Sequence, residues 1–198
     1  MRSRQTNKPD KYIVSECVKV LRDELPYNLH IFVNSVEFIA KVIDTLKLAP
    51  EAVKVVCSTS GESRQENQRK LGNAYPIGQP SDPAKKINFY TSTCFEGCDI
   101  FDPDGVTFIV SDGRKAHTLL DISTLFTQIC GRIRDSRYKA QIVHVYSTTK
   151  YSKAVTLDEF VKATQRTLAQ AEKFASDINA VDEPSREKLL KKIPYINE

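Results

Sequence analysis

The residues best equipped for chemistry lie at positions 128–137, QICGRIRDSR, in a chain of 198 residues. Arg132, Arg134 and Arg137 place three guanidinium groups within six residues. A guanidinium is a permanently charged planar fork that matches phosphate or carboxylate oxygens, so the chemistry on offer is anion binding. The structural alternative is a basic last turn that complements a helix dipole. Gln128 precedes Arg132 by four residues and shares its flank at about 100° per residue. Gly131, between them, weakens a helix and permits close approach to its backbone. On these residues alone both readings stand.

The element that must carry them is read from the apolar residues upstream. Ile122, Leu125, Phe126, Ile129, Cys130 and Ile133 follow the i, i+3, i+4, i+7, i+8, i+11 series of one helix face. On a regular helix Arg134 would point about 160° away from Arg132, whereas Asp135 would share the face of Gln128 and Arg132. A carboxylate beside bound phosphate repels it. A phosphate-binding role therefore predicts a break between Gly131 and Arg134 that turns Arg134 back and Asp135 away, towards Arg137 or Lys139.

Around this stretch strands and helices alternate. Short apolar runs at 29–33, 53–57, 86–91, 106–110 and 141–146 have the unbroken pattern of strands buried on both faces. Helices are predicted over 10–25, over 36–46 with the stripe Val36, Ile39, Val42, Ile43 and Leu46, and over 62–71. Residues 72–83, GNAYPIGQPSDP, read as loop, and Asp102-Pro-Asp-Gly105 as a turn. This order gives an α/β fold with a mainly parallel sheet. Residues 1–9 are expected as a disordered lead-in, 10–150 as the α/β domain and 151–198 as a helical extension after a linker at 147–153. Thr156 and Glu159 form a capping box opening a long helix, and Pro184 suits the start of a short last one.

Further polar residues sit where these elements begin and end. Asn34 and Ser35 precede a helix and could meet a phosphate there, or simply cap it, since Asn34 and Glu37 have capping-box spacing. Thr91 and Ser92 end a strand, followed by Gly97 and Asp99. Hydroxyls at a strand's carboxyl end can hold phosphate, and an aspartate can accept from a ribose hydroxyl. His30, His117 and His144 are expected as solvated residues without a partner nucleophile. Five cysteines, an odd number, read as reduced thiols, and Cys94 and Cys98 have no second ligand pair for zinc. A net charge of +4 permits a local nucleic-acid patch without demanding one. No apolar run approaches transmembrane length, so no membrane partner is expected and the expected location is the cytoplasm.

Gln128-x-x-Gly131-Arg132 near a helix end, with a strand after it, resembles motif VI of superfamily two helicases. Thr91, Ser92, Gly97 and Asp99 resemble motif V, and the strand and helix around Asn34 and Ser35 resemble motif IV. The resemblance spans about residues 29–146 and omits the helices after Thr156. It implies the second, C-terminal RecA-like lobe of a helicase, a three-layer αβα sandwich with a mainly parallel sheet, followed here by the helical extension. It implies an ATP-dependent helicase or translocase acting on DNA or RNA, with DNA expected first. Arg132, with Arg134 or Arg137, and Gln128 would serve catalysis. Gly97 and Asp99 would contact nucleotide, and Ser35, Thr91 and Ser92 the nucleic-acid backbone. The family's second arginine falls at Asp135 here. The chain lacks a G-x-x-x-x-G-K-[ST] loop and an Asp-Glu box. ATP and Mg2+ are thus expected to be bound mainly by an N-terminal RecA-like lobe, in the same or another chain, and the isolated chain to be inactive. The alternative is a non-catalytic RecA-like interaction module.

Overall fold

Buried runs rich in Val, Ile, Phe and Leu pair most stably with helices laid over them, and that is how the chain folds. The computed structural model describes residues 1–148, 155–183 and 185–186. In chain order it contains β1 (Arg2–Gln5), α1 (Pro9–Leu21), β2 (Asn28–Phe32), α2 (Val36–Leu46), β3 (Val53–Val56), α3 (Gly61–Leu71) and β4 (Ile87–Tyr90). Then come β5 (Ile100–Phe101), β6 (Gly105–Asp112), α4 (Thr127–Cys130), β7 (Ile133–Arg134), β8 (Ile142–Ser147) and α5 (Leu157–Asn179). Six strands form one sheet in the order β1-β8-β6-β2-β4-β3, with every pairing parallel, while β5 and β7 form a separate two-stranded ribbon. No helix among the described residues is long and apolar enough to cross a membrane.

Alternation along the strands sorts the side chains into two faces. Leu29, Ile31, Val53, Val55, Ile87, Phe89, Val106, Phe108 and Val145 meet Ile13 and Cys17 of α1, Ile39 and Ile43 of α2, and Leu71 of α3 in one apolar cluster. On the other face Phe32, Val56, Tyr90 and Ile109 pack against Cys94, Phe95, Ile100, Phe126 and Ile129. One row of that second face is polar: Lys54, Asn88, His30 and Thr107 stand in register across four strands, all buried. Burial pushes the Cys17 and Cys94 thiols up to about 12, so both behave as small apolar side chains.

The two sheet edges differ. At one, Arg2–Gln5 pairs with β8, and the Thr6 amide donates to the Tyr146 carbonyl at 2.8 Å, so the expected disordered lead-in is instead a strand. Its side chains are all exposed, and the order comes from backbone pairing, which leaves no apolar trace in sequence. At the other edge the proline-rich loop seals β3: Ile77 bridges Val55, and the Gly78 amide donates to the Val55 carbonyl at 2.8 Å.

Met1–Lys150 forms one compact unit and Tyr151–Glu198 another. In the second, α5 begins with the capping box of Thr156 and Glu159. Leu157, Leu168 and Phe174 stand exposed along it. The expected linker lies mostly outside the described residues, as does most of the segment after Pro184, although Ser147 closes β8.

Candidate nucleotide and nucleic-acid site

In a parallel sheet the loops leaving adjacent strands emerge together at the carboxyl ends, where ligands of open α/β sheets bind. The strand order sets the ends of β6, β2 and β4 side by side. Asn34, just after β2, ties this rim together. Its side-chain amide donates to the His117 carbonyl at 2.9 Å, and its Oδ1 accepts from the Ser92 amide at 3.3 Å. The expected capping box between Asn34 and Glu37 does not form. Ser35 is the cap of α2, its Oγ accepting from the Phe38 amide at 3.2 Å. One residue of offset decides this, because Ser35 has the extended backbone that a cap requires.

Ser35 and Thr91 are therefore not presented to a ligand as expected: both are buried, at 7% and 5% exposure. Thr91 lies between the ends of β3 and β4, its amide donating to the Val56 carbonyl at 3.1 Å, and its hydroxyl faces that of Thr93 at 3.4 Å. Ser92 is half-buried and Thr93 exposed, so the accessible hydroxyls of this rim belong to those two.

The predicted helix through 122–133 is much shorter. A π-turn over Ile122–Phe126, capped by Asp121, leads into α4, which ends at Cys130 with Gly131 as its C-cap. Phe126 and Ile129 take the buried positions expected of them. Ile133 is also buried, but as a residue of β7 paired with Ile100, so a strand residue fell in phase with a helical stripe. The expected break after Gly131 is present. Asp135 has φ of +57°, a left-handed conformation that aspartate adopts more readily than most residues.

This break sends Arg132 and Arg134 to the same short segment. Arg132 donates from Nε to the Gln128 carbonyl at 3.1 Å and from Nη1 to the Cys98 carbonyl at 2.8 Å. Arg134 donates from Nε to Asp99 Oδ1 at 3.0 Å. Arg137 goes elsewhere, pairing with Asp104, so the expected pairing of Asp135 with Arg137 does not occur. Gly97 has φ of +70°, which explains the glycine, and a Cβ there would meet nothing within 4 Å. Its role is to turn the backbone, not to admit a close neighbour.

Asp102 and His30 carry no expected role, yet they make a deeply buried polar contact. His30 is fully buried, not solvated, with Nε2 at 2.8 Å from Asp102 Oδ2 and Nδ1 at 3.1 Å from the Tyr90 hydroxyl. Asn28 also donates to Asp102 Oδ2, at 3.0 Å. Burial pushes His30 below its ordinary value despite Asp102. Burial would raise the Asp102 carboxyl, but hydrogen bonds from His30 and Asn28 hold it below the usual range. The pair is thus a neutral imidazole donating to a carboxylate, with the Tyr90 hydroxyl donating to Nδ1. It pins the turn at Pro103 that leads into β6, and the segment after β7 packs on that turn: Ser136 Oγ donates to the Gly105 carbonyl at 2.6 Å and the Arg137 amide to the Pro103 carbonyl at 3.1 Å. The signal was present in sequence, since a histidine inside a strand buried on both faces needs a partner.

No family model matches the chain, and no curated protein matches it. Arg132 and Arg134 come together with Cys98 and Asp99 at the ribbon, and Asn34 joins the end of β2 to Ser92 and His117 at the rim. Among the described residues no three His, Cys, Asp or Glu side chains gather as a metal site.

Proposed function

We propose that this chain is the C-terminal motor lobe of an ATP-dependent helicase or translocase acting on nucleic acid, with DNA the favoured substrate. In this reading the sheet and its covering segments form a RecA-like sandwich, and the phosphate loop and magnesium carboxylates come from another lobe. The observation that carries it is the convergence of Arg132 and Arg134 on Cys98 and Asp99. Two guanidiniums from one short turn are anchored beside an aspartate on a solvent-facing ribbon. Anchored arginines are what transferring phosphate demands, because they stabilise developing charge without first having to be ordered. The rim with Ser92 and Thr93 would track the nucleic-acid backbone.

A second reading has its own observation. Arg132 already donates to two carbonyls and Arg134 to a carboxylate, as in a lobe that keeps the fold and has given up catalysis. Titrating the chain with ATP while following the arginine Nε–Hε resonances by NMR separates the two. Millimolar ATP should shift Arg132 and Arg134 and leave Arg137 still. Unmoved Arg132 and Arg134 signals would favour the non-catalytic module. Saturable, magnesium-dependent hydrolysis by the chain alone would overturn the shared-site reading.

A further inference from the structure

Phe101 is 67% exposed, on the short ribbon that carries the arginines. In β5 and β7 the register pairs are Ile100 with Ile133 and Phe101 with Arg134. Ile100 and Ile133 are buried, so alternation turns Phe101 and Arg134 outward together. Asp99, two residues before Phe101, shares that outer face and holds Arg134. The surroundings of the ring are thus charged: Asp99, Arg134 and Asp135 all reach solvent. An aromatic ring kept in solvent among charges is poorly placed to join an apolar protein interface, which wants a contiguous patch. It is well placed to receive a flat ligand whose faces are aromatic and whose edges are polar.

The geometry points to Phe101 as the platform on which the base of a bound nucleotide stacks. This rests on the reading of Arg132 as a phosphate contact. Along the ribbon the order runs from Arg132, which holds the Cys98 carbonyl, through Asp99 to Phe101. At about 3.3 Å of rise per strand residue, Cys98 and Phe101 lie about 10 Å apart. Phosphate, ribose and base follow each other in that order in a nucleotide, and each meets a matching group. A guanidinium faces phosphate, a carboxylate can accept from a ribose hydroxyl, and a ring lies under the base. Arg134, beside the ring, adds a cation at the edge of the stack.

The chain has no tryptophan, so Phe101→Trp installs a single indole, excitable apart from the tyrosines, at the proposed contact. ATP should quench its emission, whereas inorganic triphosphate should shift the Arg132 Nε–Hε resonance without quenching. Phe101→Ala should weaken ATP binding by roughly 5- to 150-fold, the range of one base stacked on one aromatic ring, and leave triphosphate binding unchanged. If ATP shifts Arg132 while the emission stays constant, the base platform is wrong and the motor reading survives. If neither triphosphate nor ATP shifts Arg132, the motor reading itself fails. Quenching by single-stranded DNA but not by ATP would assign the ring to the nucleic acid and overturn the inference. Emission that changes only with protein concentration would assign it to a protein contact, with the same result.

Discussion

At the carboxyl-end rim Ser35 and Thr91 turn inward, Ser35 onto the start of α2 and Thr91 between strand ends, while on the ribbon Asp99, Phe101 and Arg134 turn outward. Both regions looked alike as candidate ligand sites, since each gathers polar residues at the ends of elements. They differ in what the backbone asks of them. A helix start leaves amides unsatisfied, and a short hydroxyl next to them is drawn in to fill the need. The ribbon buries only its isoleucines, so Phe101 and Arg134 face solvent, while Arg132 is held on the Gln128 and Cys98 carbonyls. A short hydroxyl beside an unsatisfied helix start is therefore a weak candidate, and a side chain that reaches solvent from a paired strand is a better one.

The largest effect expected from this contrast is at the ribbon. In a motor assembled with the other lobe, Arg132→Ala should lower ATP turnover by roughly 10³- to 10⁵-fold, as loss of an arginine that faces transferring phosphate does. Arg137→Ala, which removes the partner of Asp104 and a cation over the Tyr138 ring, should leave turnover nearly unchanged. Equal rates in the two variants would erase the distinction between the ribbon and ordinary surface charge. Next comes the support beneath it. Asp102→Ala leaves His30 and Asn28 without their acceptor, and urea unfolding should show a loss of about 3 kcal/mol. The milder Asp102→Asn, which keeps an acceptor oxygen, should recover part of it.

A smaller effect belongs to pH, with two windows. His30 has a lowered value when folded, so the unfolded chain takes up a proton first, and stability is complete above the ordinary 6.5 and declines below it. At the rim, burial raises the Asp112 carboxyl, but hydrogen bonds from Arg114 and Ser147 outweigh this and hold it at about 2. Its contribution is present above the ordinary 3.8 and is lost as pH falls towards 2. Allowing for solvent screening, that is on the order of 1–2 kcal/mol, and Asp112→Asn should remove this acid-side loss from a pH series of unfolding curves. The smallest effect sharpens the view of the rim. Ser35→Ala should cost about 1 kcal/mol of stability through the lost cap, and DNA affinity should not change. A drop in affinity beyond that loss would mean the hydroxyl does reach a ligand.

The central strands were legible because a parallel strand buried on both faces needs apolar residues at every position, and β2, β3, β4 and β6 have mostly that composition. The stripes of α1 and α2 were legible for the corresponding reason on one face. Three features were not. β1 reads RSRQ, and its order depends wholly on β8. The ribbon has two residues per strand, too few to show a period. The helix before it carried a false extension, since Ile133 kept phase with the stripe while Gly131 had already ended the helix. At the site, Arg132, Arg134, Gly97 and Asp99 could be picked from sequence, and the break that brings the arginines to Cys98 and Asp99 could be anticipated from Asp135. Which hydroxyls would be used up by the backbone could not, because the choice between Asn34 and Ser35 as cap turns on a single residue's conformation.

The pairing of β1 with β8 also governs the order of assembly. Arg2 finds its partner in Val143, so β1, the earliest strand of this sheet in sequence, waits for the last one. Closing so long a loop costs entropy that only a preformed β8 can repay, which places this step late in folding and makes it among the first contacts to open. While it waits, β8 is itself the edge of the growing sheet, with unpaired amides and carbonyls available to any extended chain nearby. Nascent chains released before β1 docks should therefore be the ones that aggregate, and chaperone dependence should fall on this one strand.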